Sequence, residues 1–84
     1  MSDQAPTAHA VLLHLCQAVV AHPDEISIQV DERGSDHVQL NVTVAKDDMG
    51  RVIGRRGRVA TAIRTVVRAA ATKDGLTADV EFVD

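Results

Sequence analysis

At 84 residues the chain has room for one small hydrophobic core and not for a second folded unit. Its 45% apolar and 25% charged content excludes a disordered chain, and the single aromatic residue, Phe82, excludes the mode of nucleic-acid binding that stacks bases on exposed rings. The formal net charge of −3 hides a segregation: Met49 to Lys73 holds seven bases and no acid, residues 1–48 hold eight acids against Arg33 and Lys46, and residues 74–84 hold four acids and no base. A mildly acidic protein with one concentrated cationic stretch binds anions only where backbone geometry and charge coincide, which points to a phosphate chain as partner.

In chain order, residues 1–6 are expected to form a flexible lead and residues 7–84 a single domain. Thr7 is a candidate N-cap, and Ala8, Val11, Leu12, Leu15, Cys16 and Val19 recur at the spacing of an amphipathic helix that should stop at His22-Pro23. Ile26, Ile28 and Val30 alternate with Glu25, Ser27, Gln29 and Asp31. After the turn-forming run from Asp31 to Asp36, Val38, Leu40, Val42 and Val44 alternate with His37, Gln39, Asn41 and Thr43. Two neighbouring strands, each with one buried face, follow from this period of two. Asp47 or Asp48 can cap a short helix reaching about Ile53, which Gly54 breaks. A longer helix opens at Gly57 or Arg58 and runs to about Thr72. At about 100° per residue, Arg58, Thr61, Arg64, Thr65, Arg68 and Thr72 share one arc of that helix, and Val59, Ala60, Ala62, Ile63, Val66, Val67 and Ala70 share the other. Gly75 reads as its left-handed cap, and Ala78, Val80 and Phe82 form the buried face of a last strand. The predicted order is αββααβ, an α+β fold.

The chemistry concentrates at Gly54-Arg55-Arg56-Gly57, between the two central helices. Two glycines three apart are weak evidence alone, and an ordinary turn with solvated arginines is the bland alternative. The context sharpens the reading. Glycine at both ends lets the backbone approach a ligand, the loop opens onto a helix N-terminus that favours phosphate oxygens, and Arg55 and Arg56 at the tip supply charge and donors. Arg51 and Arg58 flank it. Val52 and Ile53 precede it and are expected both to enter the core and to line a groove. Arg64 and Arg68 fit a solvated helix face about as well as a ligand contact.

At Val52-Ile53-Gly54-Arg55-Arg56-Gly57-Arg58 the chain resembles the KH domain, and the αββααβ order resembles its type II arrangement, a three-stranded sheet packed on one side by three helices. Over its whole length it is similar to the small stand-alone bacterial KH proteins of the KhpA type. The resemblance implies single-stranded RNA as partner, the GxxG loop on the sugar-phosphate backbone, and bases in an aliphatic groove between the two central helices and a neighbouring strand. The RNA-binding set it implies is Gly54, Arg55, Arg56, Gly57, Arg58, Arg51, Val52, Ile53 and Arg64, in an RNA chaperone or post-transcriptional regulator. It also implies a homodimer or a complex with a larger KH-containing, Jag-type protein. One departure is Ala60, where many KH domains carry a branched aliphatic. The competing reading is a dimerisation or interaction subunit with little RNA binding of its own.

No enzyme, cofactor or metal site is expected. There is no phosphate-binding loop followed by Lys-Ser/Thr and no nucleophile beside a base, and His9, His14, His22 and His37 lack paired ligand spacing. The lone Cys16 fits a small core residue in a reducing compartment. With no signal-like N-terminus and no run near the ~18 apolar residues of a membrane span, the cytoplasm is the expected location.

Overall fold

A computed structural model describes residues 5–83, the side chain of Arg55 apart. The elements are helix α1 (Pro6–Val19), strands β1 (Ser27–Glu32) and β2 (His37–Thr43), a helical run α2 (Lys46–Ala71) and strand β3 (Thr77–Phe82), with short 3-10 turns at Pro23–Glu25 and Thr72–Asp74. Residues 1–4 of the expected flexible lead lie outside the described residues. Ala5 is buried and Pro6 opens α1.

The sheet order is β1-β2-β3. β1 and β2 pair antiparallel from Ser27↔Thr43 to Glu32↔Val38. β2 and β3 pair parallel from His37↔Thr77 to Val42↔Phe82. Parallel neighbours need a crossover connection, and α2 provides it. The period-2 pattern places Val38, Leu40 and Val42 of β2 and Ala78, Val80 and Phe82 of β3 on one face, where they pack with Leu12 and Cys16 of α1 and Val52, Ile63 and Val67 of α2. All helices therefore cover one side of the sheet, the α+β arrangement expected. On the other face lie polar side chains: Asn41 Nδ2 donates to Asp31 Oδ2 at 2.7 Å, Gln39 Nε2 donates to Asn41 Oδ1 at 2.8 Å, and His37 Nε2 sits 2.7 Å from Asp79 Oδ2.

Two aspartates expected to act locally, or not singled out, act across the chain. Thr7 is not the cap of α1. Proline at the first helical position leaves the Thr7 and Ala8 N–H groups to find partners, and both donate to the Asp74 carboxylate at 3.1 Å. The next residue, Gly75, takes the left-handed conformation (φ 72°) that ends the helical chain, so one turn finishes α2 and caps α1. Burial pushes the Asp74 carboxyl upward, but the hydrogen bonds from Thr7 and Ala8 outweigh it and hold the group below the ordinary carboxylate range. A depressed carboxyl contributes stability above its unfolded pKa and loses it as pH falls through the folded one, so this contact opens in acid. Asp48 likewise does not cap its own helix; Ala45 stands at that position without a side-chain bond.

Cys16 is wholly buried, and burial pushes its thiol up to about 11, which makes it an inert core residue.

Candidate nucleic-acid interface

The central helices are one hydrogen-bonded run, Lys46–Ala71, but Arg56 (φ 62°) and Gly57 (φ 71°) both have positive φ inside it. A right-handed helix cannot pass straight through two such residues. The run is therefore two arms, residues 46–55 and 58–71, joined by a left-handed corner. The corner sits two residues later than expected: Gly54 has no positive φ and lies within the first arm, in helical conformation. Gly57 needs to be glycine on conformational grounds. Arg56 adopts the same conformation with a side chain, at a cost of roughly 1–2 kcal/mol.

Backbone strain of this kind persists where something else holds it, and it concentrates at functional sites. We expect Arg56→Gly to raise folding stability by roughly 0.5–1 kcal/mol, the relieved strain less the backbone entropy of glycine. Urea denaturation measures it, and an unchanged or lower midpoint would show that the corner stores no strain.

Five of the seven bases of the central stretch divide by what they touch. Arg64 Nε donates to the Val80 carbonyl at 3.1 Å and its guanidinium lies 5.7 Å from the Phe82 ring centroid, so it is folded onto β3. Arg68 Nη2 lies 3.6 Å from Asp79 Oδ1, again on β3. Arg51 Nε is 3.8 Å from Asp48 Oδ1 but its side chain stays 64% exposed. Arg56 and Arg58 are exposed and have no ion-pair partner among the described residues. Of the expected set, then, the corner gathers Gly54, Arg56, Gly57 and Arg58 at one tip, with Arg51 one turn before Gly54 or Arg55. The Arg55 backbone belongs to the same corner, and its side chain lies outside the described residues. Ile53 is 47% exposed beside the tip, whereas Val52 is fully buried and offers a ligand no side-chain surface. Ala60, the position that departs from the usual branched aliphatic, is a buried core residue.

A depression of about 360 Å³ lined by Val19, Gly50, Arg51, Gly54 and Val59 opens next to the corner. It shares Val19 and Val59 with an apolar trough of about 300 Å³ between α1 and the second arm, which also includes Leu15, Ala18, Ala62, Ile63 and Val66. Ala62 and Val66, on the apolar arc, are exposed (Val66 47%), because the core reaches only as far round the helix as Ala60, Ile63, Val67 and Ala71.

Asp48 is the element that local sequence reading missed. It is the one buried charged side chain among the described residues. Its Oδ1 accepts the Ala21 N–H at 3.0 Å, and its Oδ2 accepts the His22 N–H at 3.0 Å and faces His22 Nδ1 at 3.1 Å. The first arm is thereby fastened to the end of α1. The Ala21 N–H leads the interactions that hold Asp48 below the ordinary carboxylate range, against the opposing effect of burial and with help from His22. His22 is raised in turn by its hydrogen bond to Asp48 and by that residue's charge, with smaller contributions from Glu25 and Asp47.

Among the described residues no group of three or more His, Cys, Asp or Glu is placed to hold a metal ion, and no helix is long and apolar enough to cross a membrane. A mixed three-stranded sheet with helices on one side, crossed over by two helical arms that meet at a Gly-Arg-Arg-Gly corner, defines a KH domain. The sequence profile of the KhpA/KhpB KH domain matches residues 9–82. The chain belongs to the KhpA/KhpB KH-domain family, and it is a KH protein rather than an enzyme. It is similar to the RNA-binding protein KhpA of Halalkalibacterium halodurans, 43% identical over 72 residues that span 84% of this chain and 92% of that one. The RNA-binding protein KhpA of Clostridium acetobutylicum is 41% identical over 69 residues, 82% of this chain and 91% of that one. In Bacillus subtilis the RNA-binding protein KhpA is 36% identical over 74 residues, 88% of this chain and 90% of that one.

Proposed function

We propose that this protein binds single-stranded RNA by laying the sugar-phosphate backbone across the Gly54-Arg55-Arg56-Gly57 corner, and that it acts as an RNA chaperone or post-transcriptional regulator in the cytoplasm. The observation that carries the reading is the strained corner itself: Arg56 is held at positive φ, unpaired, beside Gly57, while nearby cations on the second arm are drawn onto β3. Gly54 adds support. A Cβ there would meet nothing within 4 Å, and its φ is not positive. The fold makes no demand for glycine at this position, where alanine would be favoured by about 1 kcal/mol. A backbone that must be approached closely from outside does make that demand. Arg51, Arg56 and Arg58 then supply donors to successive phosphates, Ile53 supplies exposed aliphatic surface for bases, and Arg64 steadies the second arm against β3. The relatives' names carry RNA binding in the same direction.

The apolar trough between α1 and the second arm favours a partner as well. Exposed Ala62 and Val66 facing Ala18 and Leu15 form a surface suited to a second copy of the chain or to a larger KH-containing, Jag-type protein. Two linked sites raise apparent affinity without new contacts, which suits a single corner whose own affinity should lie around the micromolar range.

Fluorescence anisotropy with a labelled unstructured RNA and with a perfect RNA duplex tests the function. Bases can reach aliphatic surface only when unpaired, so the single strand should bind at least tenfold more tightly and lose affinity as salt rises. Equal binding of duplex and single strand would remove the groove from the mechanism, and no binding of either would leave the protein-interaction role.

A further inference from the structure

The buried Asp48 carboxylate faces two basic side chains, one on each oxygen, and one of them can switch its charge. Its Oδ1 faces Arg51 Nε at 3.8 Å and its Oδ2 faces His22 Nδ1 at 3.1 Å. His22 is 44% exposed at the imidazole, so protons reach it freely, while the Asp48 side chain is 1% exposed and cannot turn to water for compensation. Resting on the RNA-binding reading above, we propose that Asp48 is a positioning residue for the RNA corner: it holds Arg51 while His22 is neutral and releases it toward RNA when His22 is protonated, so that affinity for single-stranded RNA rises as pH falls from 8 to 6.

The charges around the site give the sign. With His22 neutral, Asp48 and Arg51 cancel, and the depression lined by Gly50, Arg51 and Gly54 has little net field of its own. Protonated His22 takes over the carboxylate through a charge-assisted hydrogen bond and leaves one uncompensated positive charge within a turn or two of the corner. The remaining charged groups facing His22 are Glu25 on the turn before β1 and Asp47 on the first arm, both acidic, and both favour the protonated ring. The hydrogen bond to Asp48 works in the same direction and outweighs the small desolvation of the ring, which puts the transition at or above the ordinary imidazole range. A phosphate about 10 Å away would feel the added charge by a factor of roughly two in affinity in water-like dielectric. Linkage is reciprocal: if protonation tightens RNA, RNA must raise the affinity of His22 for its proton.

Anisotropy titrations of an unstructured RNA at pH 6 and pH 8, at fixed ionic strength, read the effect directly in wild type, His22→Gln and His14→Gln. Wild type and His14→Gln, whose ring lies on the outer face of α1, should bind roughly twofold more tightly at pH 6. His22→Gln should bring that ratio to about one. In parallel, NMR titration of the His22 ring should show its midpoint moving to higher pH when the protein is saturated with RNA, which a merely structural histidine would not do. A wild-type ratio of one, an undiminished ratio in His22→Gln, or an unmoved midpoint would overturn the proposal while leaving RNA binding intact. Absence of RNA binding at both pH values would overturn the RNA-binding reading and this one with it.

Discussion

Replacing Arg55 and Arg56 together with aspartate should abolish detectable RNA binding and leave the fold in place. The corner lies at the junction of two arms packed through Val52, Ile63 and Val67, and Arg56 is exposed there, so its reversal touches no core contact. Each phosphate contact to a single strand contributes about 0.7 to the slope of log affinity against log salt. Losing two flattens that slope by roughly 1.4, and the two added anions repel the phosphate path beyond this loss. The matched control is Arg33→Asp, in the turn between β1 and β2, where the side chain is exposed and the backbone N–H bonds the His37 carbonyl at 2.8 Å. It changes charge in the same sense per residue and should bind RNA near wild type. Filter or anisotropy assays at several salt concentrations, with circular dichroism on the same samples, separate the outcomes. A folded double variant with wild-type affinity and salt slope would reduce the Gly54–Gly57 corner to a structural turn.

Leu12→Ala should cost about 3 kcal/mol, the middle of the range for removing three buried carbons from a packed interior. Leu12 has no exposed surface and is the largest fully buried side chain that α1 contributes. The cost is severe because a domain of 84 residues has a total stability of only roughly 4–12 kcal/mol. The melting temperature should fall by roughly 15 °C, measured by thermal unfolding. A shift of only one or two degrees would show that α1 lies on the domain without being part of it, and the anchoring of the first arm through Ala21, His22 and Asp48 would lose its base. Well below the melting point, RNA binding should survive this substitution, which distinguishes loss of fold from loss of the corner.

Much of this architecture is legible in the sequence because its signals are local. Alternation at Ile28, Val30, Val38, Leu40, Val42, Ala78, Val80 and Phe82 gives three strands with one buried face. Helical spacing gives α1 and the second arm, and Gly75 marks its left-handed cap. The site reads as a cationic corner for the same reason, since the glycines and arginines are adjacent in the chain. What escapes is nonlocal or against propensity. Asp48 looks like a local capping residue and Asp74 carries no signal of its own, yet their partners are 26 to 27 and 66 to 67 positions away. An arginine at positive φ runs against conformational preference, so sequence reasoning puts the break on Gly54 and not on Arg56. The arc of α2 shows which residues are apolar but not how far α1 and the sheet extend to cover them, and so it does not reveal that Val66 and Ala62 stand exposed. Arg64 sits on the polar arc as expected, but nothing local shows that its guanidinium folds back onto Val80 and Phe82.

In the proposed mechanism RNA meets the protein at the corner between the two arms. The most direct test follows the backbone amides of the uniformly ¹⁵N-labelled protein by NMR as an unstructured RNA oligomer is added. The largest shifts should fall on Gly50 to Arg58, with smaller ones at Val59 and Val19 around the adjoining depression, and the amides of the polar sheet face at Asp31, Gln39, Asn41 and Asp79 should stay still. Shifts concentrated on that sheet face, or spread evenly over the surface with the corner unmoved, would contradict it.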